Sequence, residues 1–458
     1  MPFLPAEIFK AYDIRGIVGK SLTREVAFQI GRALATIAHE RGGAPIAVGR
    51  DGRLSGPELA GALMEGIRAG GIDSIDIGMA PTPVTYFAGH QLGNQSVVSV
   101  TGSHNPPDYN GFKMVIAGET LYGEAIQDLR QRIESGALSS GAGQARKASV
   151  DDAYLERIIG DVKLARPMKV VVDCGNGVAG ELAPKLLRGL GCQTVDLFCE
   201  IDGNFPNHHP DPSKPENLED VVHALRETDA EIGLAFDGDG DRLGVVTKDG
   251  EVIFADRQLM LFAADVLARV PGGEIIYDVK CTRQLARWIG EHGGKATMWK
   301  TGHALIKAKL RETSAPLAGE MSGHMFFKER WYGFDDGLYA AARLLEILSR
   351  SADASAVLKA LPKSNSTPEL NIAMNEGEPF ALLDRLREKA RFDGSVETIT
   401  IDGLRVEFAD GFGLARPSNT TPVVVLRFEA DSDAALERIQ AQFRHAIDSV
   451  WPGLKLPF

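Results

Sequence analysis

The sequence predicts an α/β protein: three related α/β domains with mixed, largely parallel sheets, then a smaller α+β domain at the C-terminal end. Three observations carry this reading. At 458 residues the chain is too long for one hydrophobic core, since domains run to roughly 100–200 residues. One pattern occurs three times in the first three quarters: an apolar strand, an aspartate, a helix, a second strand, and a later strand emptying into a polar, glycine-rich loop. From about Lys363 the pattern stops.

In the first copy residues 46–49 form the strand and Asp51 follows it. Ser55 and Glu58 have capping-box spacing, and Leu59, Leu63 and Ile67 share one face of the helix they open. Residues 74–78 make the second strand, and 97–100 a buried strand leading to Thr101, Gly102, Ser103, His104, Asn105 and Pro106. In the second copy residues 169–172 lead to Asp173, a helix carries Leu182, Leu186, Leu187 and Leu190, and residues 194–198 follow. Residues 231–236 then run into Asp237, Gly238, Asp239, Gly240, Asp241 and Arg242. In the third copy residues 274–277 meet Asp278, Thr282 caps a helix with Leu285, Trp288 and Ile289 inside, and residues 296–299 follow. Its exit loop is Gly319, Glu320, Met321, Ser322, Gly323 and His324. Strands alternating with helices imply parallel sheets, which bind ligands beyond the carboxyl ends of their strands. Three equivalent loops can therefore face one cleft. In the final part, strands at 404–408 and 423–428 surround a turn-rich stretch, and a helix over 434–450 aligns Leu436, Ile439, Phe443 and Ile447.

Composition narrows the class. Apolar residues make up 44% and charged residues 24%, the balance of a soluble globular protein. No apolar run reaches the roughly 18 residues of a membrane span, and the first ten residues lack a secretory signal, so a cytoplasmic location is expected. Cys174, Cys192, Cys199 and Cys281 show no metal-site or redox-pair spacing and read as free thiols. A net charge of -12 argues against nucleic acid or an anionic membrane as partner, so an anionic substrate needs its own basic pocket.

The loops hold the chemistry. Asp237, Asp239 and Asp241 alternate with glycines, so hard oxygen ligands can converge where the backbone turns tightly, which suits magnesium or calcium. A calcium EF-hand is excluded, because its required Gly and Glu positions hold Arg242 and Lys248. A solvated acidic turn is the competing reading. Ser103 sits beside His104 on a loop suited to a nucleophile or a phosphoryl carrier, with an ordinary turn ahead of Pro106 as its rival. Together the two loops say more than either, since a phosphoryl group on Ser103 can complete the metal's oxygen shell. Glu320, Ser322 and His324 offer acceptors and donors for sugar hydroxyls. Arg416, Ser418, Asn419, Thr420 and Thr421 offer a cation and several donors for a phosphate dianion. Gly19, Lys20 and Ser21 imitate the end of a P-loop without its opening glycine or preceding strand. Gly175, Gly177 and Gly180 spell a dinucleotide fingerprint with Glu200 beyond, but the same strand, aspartate and helix recur elsewhere without them, so close packing is the simpler explanation.

Five motifs in order resemble the bacterial phosphomannomutase/phosphoglucomutase group of the alpha-D-phosphohexomutase superfamily: K-A-Y-D-I-R-G at 10–16, T-G-S-H-N-P at 101–106, D-G-D-G-D-R at 237–242, G-E-M-S-G-H at 319–324 and R-P-S-N-T at 416–420. The resemblance spans essentially the whole chain. It implies four domains around a central cleft: a phosphoserine-loop domain (1–148), a magnesium-loop domain (149–252), a sugar-loop domain (253–363) and a phosphate-binding domain (364–458). It implies that Ser103 carries the phosphoryl group and, with Asp237, Asp239 and Asp241, holds one Mg2+. Arg15, His104, Lys113 and Arg242 lie near the transferring group. Tyr12, Lys280, His303, Glu320, Met321, Ser322, Gly323 and His324 line the sugar site, with Glu320 and Ser322 on the 3- and 4-hydroxyls. Arg416, Pro417, Ser418, Asn419 and Thr420 take the phosphate that is not reacting. The implied activity is an isomerase passing hexose 1-phosphate and hexose 6-phosphate, of mannose and glucose, through a hexose 1,6-bisphosphate that also serves as activator. A monomer is expected. Phosphoglucosamine mutase is the neighbouring alternative, and Met321 with the 10–16 stretch favours the mannose/glucose group. A NAD-linked oxidoreductase using Gly175 to Gly180, or a non-catalytic sugar-phosphate binder, are the alternatives of other classes.

Overall fold

The computed structural model describes residues 4–419 and 421–458, and four sheets organise them. The first sheet runs in the order Ile14–Ile17, Tyr109–Ile116, Val97–Val100, Ile46–Arg50, Ser74–Met79, Ala145–Lys147, with the short strand Glu119–Thr120 on Tyr109–Ile116. The second runs Val252–Ile253, Leu243–Thr247, Ile232–Phe236, Lys169–Asp173, Gln193–Leu197, and the third Lys295–Trp299, Glu274–Asp278, Leu317–Gly319, Met325–Phe327.

All three are built alike. The strand bearing the aspartate lies between two parallel neighbours, and one of those continues through the functional loop into an antiparallel strand. Thus Val97–Val100 returns as Tyr109–Ile116, Ile232–Phe236 as Leu243–Thr247, and Leu317–Gly319 as Met325–Phe327. Each chemically interesting loop is the bend of an antiparallel hairpin set into a parallel sheet. A buried strand reads as one continuous apolar run whichever way its neighbour points, so the hairpins leave no mark in the hydrophobic pattern.

Helix signals are less literal. Ser55 precedes the helix Gly56–Ala69 but makes no side-chain cap, because its Oγ accepts from Asn110 Nδ2 at 2.9 Å instead. The expected capping box is absent. Thr282 Oγ1 accepts from Gln284 N at 3.2 Å at the start of the helix Gln284–Glu291, and Trp288 on that helix is half-buried. The helix of the second copy is short, Ala183–Gly189, and leaves Leu190 just past its end.

One hydrophobic core crosses the three α/β domains, joining Phe87 and Val97 to Val172, Leu186 and Leu234 and on to Leu259, Leu338 and Tyr339, and the first domain has a second core that includes Ile30, Leu63, Val98 and Phe112. The last domain stands apart. Its sheet, all antiparallel, runs Asn365–Ser366, Val423–Ala430, Gly411–Pro417, Leu404–Phe408, Ser395–Ile399, with Leu370–Ala373 also on Val423–Ala430. The helices Glu378–Lys389 and Asp433–Val450 cover it over a separate core that includes Leu383, Val406, Phe428, Ile439 and Phe443. Among the described residues no helix is long and apolar enough to cross a membrane.

Candidate active site

The serine loop is held from beneath by the first aspartate. Asp51 Oδ2 accepts from Thr101 Oγ1 at 2.7 Å and from Gly102 N at 3.1 Å, and Thr101 Oγ1 accepts from Ser103 N at 2.8 Å. Ser103 is buried and takes a left-handed φ of 50°, a conformation a non-glycine residue keeps only where its surroundings enforce it. Its hydroxyl donates to Asp237 Oδ2 at 3.1 Å and lies 3.1 Å from His104 Nδ1. Burial, and then the Arg242 charge, hold the His104 imidazole well below its usual range, so it is neutral.

Asp237, Asp239 and Asp241 are fully buried, and one oxygen from each falls within 4.8 Å of the others. Asp237 Oδ1 is used to close the turn, accepting from Asp241 N at 3.0 Å and Arg242 N at 3.1 Å. Lys113 reaches in from the neighbouring sheet, with Nζ 2.8 Å from Asp239 Oδ2 and 2.5 Å from Asp241 Oδ2. With Arg242 Nε 3.8 Å from Asp237 Oδ2, two cations still face three carboxylates and leave the cluster under-compensated. Burial and then the charges of Asp241 and Asp239 drive the Asp237 carboxyl well above its ordinary value, while Lys113 outweighs burial and holds Asp239 low. Asp239 Oδ1 and Asp241 Oδ1 are buried without a partner. Hard, convergent, unsatisfied oxygens beside a serine hydroxyl fit a small divalent cation that keeps a phosphate oxygen in its shell. Gly238 makes the approach possible, because a Cβ there would lie 2.3 Å from the carbonyl oxygen of Ser103.

The third loop adjoins the second. The backbones of Arg242 and His324 form an antiparallel bridge, and Leu243 N donates to Gly323 O at 3.3 Å. His324 Nδ1 lies 3.2 Å from Asp335 Oδ2 and 3.5 Å from Asp241 Oδ1, while its Nε2 accepts from Arg242 Nε at 3.1 Å. His303, at the start of the helix His303–Thr313, lies 3.6 Å from the same Asp335 oxygen. A second cluster, Asp241 with His324 and Asp335, also has ligand-like spacing, but it offers an imidazole nitrogen where a hard cation beside a phosphate favours oxygen. The three-aspartate loop is the better cation site. Glu320 is buried and accepts from Gly302 N at 2.6 Å, Ser322 is half-buried, and Met321 turns its thioether to Arg427 Nη1 at 3.0 Å.

The fourth domain closes the ring of residues. Arg416 Nε donates to Asp402 Oδ2 at 3.1 Å, and that same oxygen accepts from Thr301 N at 2.9 Å. Asn419 Nδ2 donates to the hydroxyl of Tyr12, which donates in turn to Thr301 O at 2.7 Å. Ser418 N donates to Val423 O at 2.9 Å, Pro417 ends the strand Gly411–Pro417, and Thr420 lies outside the described residues. Lys280 Nζ meets Glu369 Oε1 at 2.5 Å, and Arg15 Nη1 meets Asn105 Oδ1 at 2.7 Å. These contacts tie the serine, aspartate and sugar loops to one another, and the Arg416 loop to Tyr12 and Thr301.

Several neighbours carry no motif signal. Thr82 Oγ1 donates to Asp239 Oδ2 at 2.5 Å; Asp335 and Lys307 sit behind the two histidines. Asp211, which Arg242 and the hydrogen bonds of Ser213 hold below its ordinary value despite burial, stands 3.9 Å from Arg242 Nη1. The dinucleotide-like glycines are a packing device. A Cβ at Gly180 would lie 2.1 Å from Cys199 O, and Val178 N, which a pyrophosphate would need, donates to Gly238 O at 3.1 Å.

Three linked α/β domains that bring a serine, a carboxylate cluster and a sugar-suited loop together, with a basic loop from a fourth, define a cation-assisted phosphoryl-transfer enzyme. The chain belongs to the phosphoglucomutase/phosphomannomutase family: its α/β/α domains I, II and III match residues 6–139, 152–250 and 255–364, and its C-terminal domain matches residues 369–446. The chain is 59% identical over 459 residues to the phosphoglucomutase of Neisseria gonorrhoeae, covering 99% of this chain and 100% of that one. It is 56% identical over 458 residues to the phosphomannomutase/phosphoglucomutase of Pseudomonas aeruginosa, covering 100% and 99%. A crystal structure of a phosphoglucomutase/phosphomannomutase family protein from Burkholderia thailandensis superposes with a TM-score of 0.95 at 62% identity, covering both chains fully.

Proposed function

We propose that this chain interconverts the 1- and 6-phosphates of glucose and mannose by lending and recovering a phosphoryl group at Ser103. The observation that carries the reading is the Ser103 hydroxyl, 3.1 Å from a buried three-carboxylate cluster that Lys113 and the more distant Arg242 offset only in part.

Asp237, Asp239 and Asp241 would hold Mg2+ with an oxygen of the serine phosphate. When bound, the ion offsets charge on the shifting phosphoryl oxygens. A free hydroxyl of the hexose phosphate attacks the phosphorus of phosphoserine 103. The new bond joins phosphorus to the sugar oxygen, the bond to Oγ breaks, and the hydroxyl proton ends on Oγ, which then donates to Asp237 as seen here. Lys113, Arg15 and Arg242 surround the group in transit with fixed positive charge, so little reorganisation is needed as charge moves. The hexose 1,6-bisphosphate then turns over, places its other phosphate by Arg416, Ser418, Asn419 and Thr420, and returns a phosphoryl group to Ser103. Glu320 and Ser322, facing the 3- and 4-hydroxyls, serve both orientations and do not touch C2, where glucose and mannose differ.

A coupled assay with glucose 1-phosphate, magnesium and a trace of glucose 1,6-bisphosphate tests this. Ser103→Ala should lose at least about 10³-fold in kcat, the scale at which removing a covalent carrier is felt. Full activity in that variant would remove Ser103 from the mechanism. A C2 preference beyond about tenfold in kcat/KM would contradict the dual specificity.

A further inference from the structure

The turn after the strand Ile46–Arg50 holds a residue that the reaction as described does not use. Arg53 is 1% exposed, deep beneath the serine loop. Its guanidinium donates from Nη2 to Ser103 O at 2.9 Å and Asn105 O at 2.6 Å, and from Nη1 to Pro106 O at 2.5 Å and Tyr109 O at 3.0 Å. Its Nε meets Asp51 Oδ2 at 3.2 Å, and Phe205 of the second domain covers it with the ring centroid 5.1 Å away. Gly102 is needed above it, since a Cβ there would lie 2.4 Å from the guanidinium carbon. Four carbonyls, those of Ser103, Asn105, Pro106 and Tyr109, gathered by one planar fork fix the path of the loop that carries Ser103.

The repeat shows that the fold does not need this residue. The second position after the strand aspartate is Arg53 in the first copy, Gly175 in the second and Lys280 in the third. In the second copy Asp173 Oδ1 accepts from Gly175 N at 2.8 Å, and in the third Asp278 Oδ1 accepts from Met321 N at 3.2 Å. Those strands and hairpins form with no guanidinium supplied from that position. Only the copy whose loop holds a serine in left-handed conformation has one.

We infer that Arg53 is a positioning residue that holds the Ser103 loop in its transfer geometry, acting through the four carbonyls and without touching substrate. The inference rests on the proposed role of Ser103. A fork with five donors in a plane can serve four carbonyls at once, whereas a lysine ammonium has three donors on a flexible stem. Arg53→Lys keeps the charge opposite Asp51 and loses the fork.

The test is steady-state kinetics of Arg53→Lys beside the native enzyme and Ser103→Ala, with melting temperature and intact mass on each. The expected result is a kcat lower by about 10²-fold, the effect of misplacing a reacting atom by about 1 Å, with KM for glucose 1-phosphate within about threefold. The phosphoserine, seen as roughly 80 Da of added mass after incubation with glucose 1,6-bisphosphate, should form more slowly in Arg53→Lys. A residue that merely stabilised the domain would lower the melting temperature and leave kcat per folded molecule unchanged. That outcome, or native kcat, overturns the inference. Absence of the added mass in the native enzyme would instead overturn the Ser103 reading. Should Arg53→Lys not fold, the double variant Asp51→Asn with Arg53→Gln removes both buried charges together and is read beside Asp51→Asn alone: a kcat lower in the double variant than in the single one supports the inference, and equal kcat overturns it.

Discussion

Lys113 occupies the most demanding position of any single residue in the site. It is the one ammonium against Asp237, Asp239 and Asp241, and those charges overcome its burial to raise its pKa far above the ordinary lysine range. Deleting one partner of a buried ionic cluster leaves charge without compensation and costs about 3–5 kcal/mol. Lys113→Met should therefore lose stability of that order in urea denaturation with EDTA present, and recover part of it when magnesium is added, because a cation that binds only the folded state stabilises by mass action. Equal losses with and without magnesium would show that the ion does not share the site with this lysine.

At the scale of elements, close approach between loops replaces bulk packing. Gly238→Ala puts a Cβ against the Ser103 carbonyl, and the expected result is a kcat lower by about 10²-fold with KM little changed. Gly61→Ala is its control: that glycine sits in the helix Gly56–Ala69 with open space around it, so the change should be silent in kcat and stabilising by about 0.5–1 kcal/mol. The loop that backs the site is tied by His208, whose Nε2 is 2.9 Å from Asp173 Oδ2 and whose Nδ1 is 3.0 Å from His209 O. With acceptors at both nitrogens the imidazolium is favoured, and Asp173 with more distant Asp220 outweighs half-burial to raise the pKa. A raised folded pKa means the contribution is fully present below about pH 6.5, the unfolded value, and is lost as pH rises through the folded value. His208→Gln should flatten the fall in urea midpoint between pH 6 and pH 8; a native slope retained by the variant would place that titration elsewhere. Much of this layer was legible in the sequence. Strands at 97–100 and 404–408 match their observed ends, and the loop motifs sit where the repeat puts them. The unread part has a common cause: the hairpin direction, the diversion of Ser55 to Asn110, and the roles of Arg53, Thr82, Asp211 and Asp335 depend on partners distant in sequence, with no local periodicity or motif to announce them.

For the whole molecule, the division of the core sets the mechanics. A continuous apolar core links the three α/β domains, with a further core of the first domain on the other face of its sheet, whereas the core of the fourth is separate from both, so the first three are expected to melt together. Its attachment to the third is mainly polar. Arg405 Nη1 donates to Val279 O at 2.5 Å and Cys281 O at 2.8 Å, Arg427 to Lys280 O and, at 3.1 Å, Asp256 Oδ2, and Thr282 to Glu429 Oε1 at 2.8 Å. Among the described residues the small cluster of Val279, Phe412 and Leu414, with Met298 and Ile401 against it, adds an apolar patch. Such an interface holds an orientation without merging two cooperative units. Calorimetry of the full chain should therefore resolve two transitions, the larger from the joined core. Arg427→Met leaves Asp256 buried beside a lost partner, so it should lower the smaller transition by several degrees, more than it moves the larger. A single endotherm in both proteins, moving as one, would mean that the buried arginines couple the fourth domain into the common core, and that the Arg416 loop cannot shift independently of the serine, aspartate and sugar loops it faces.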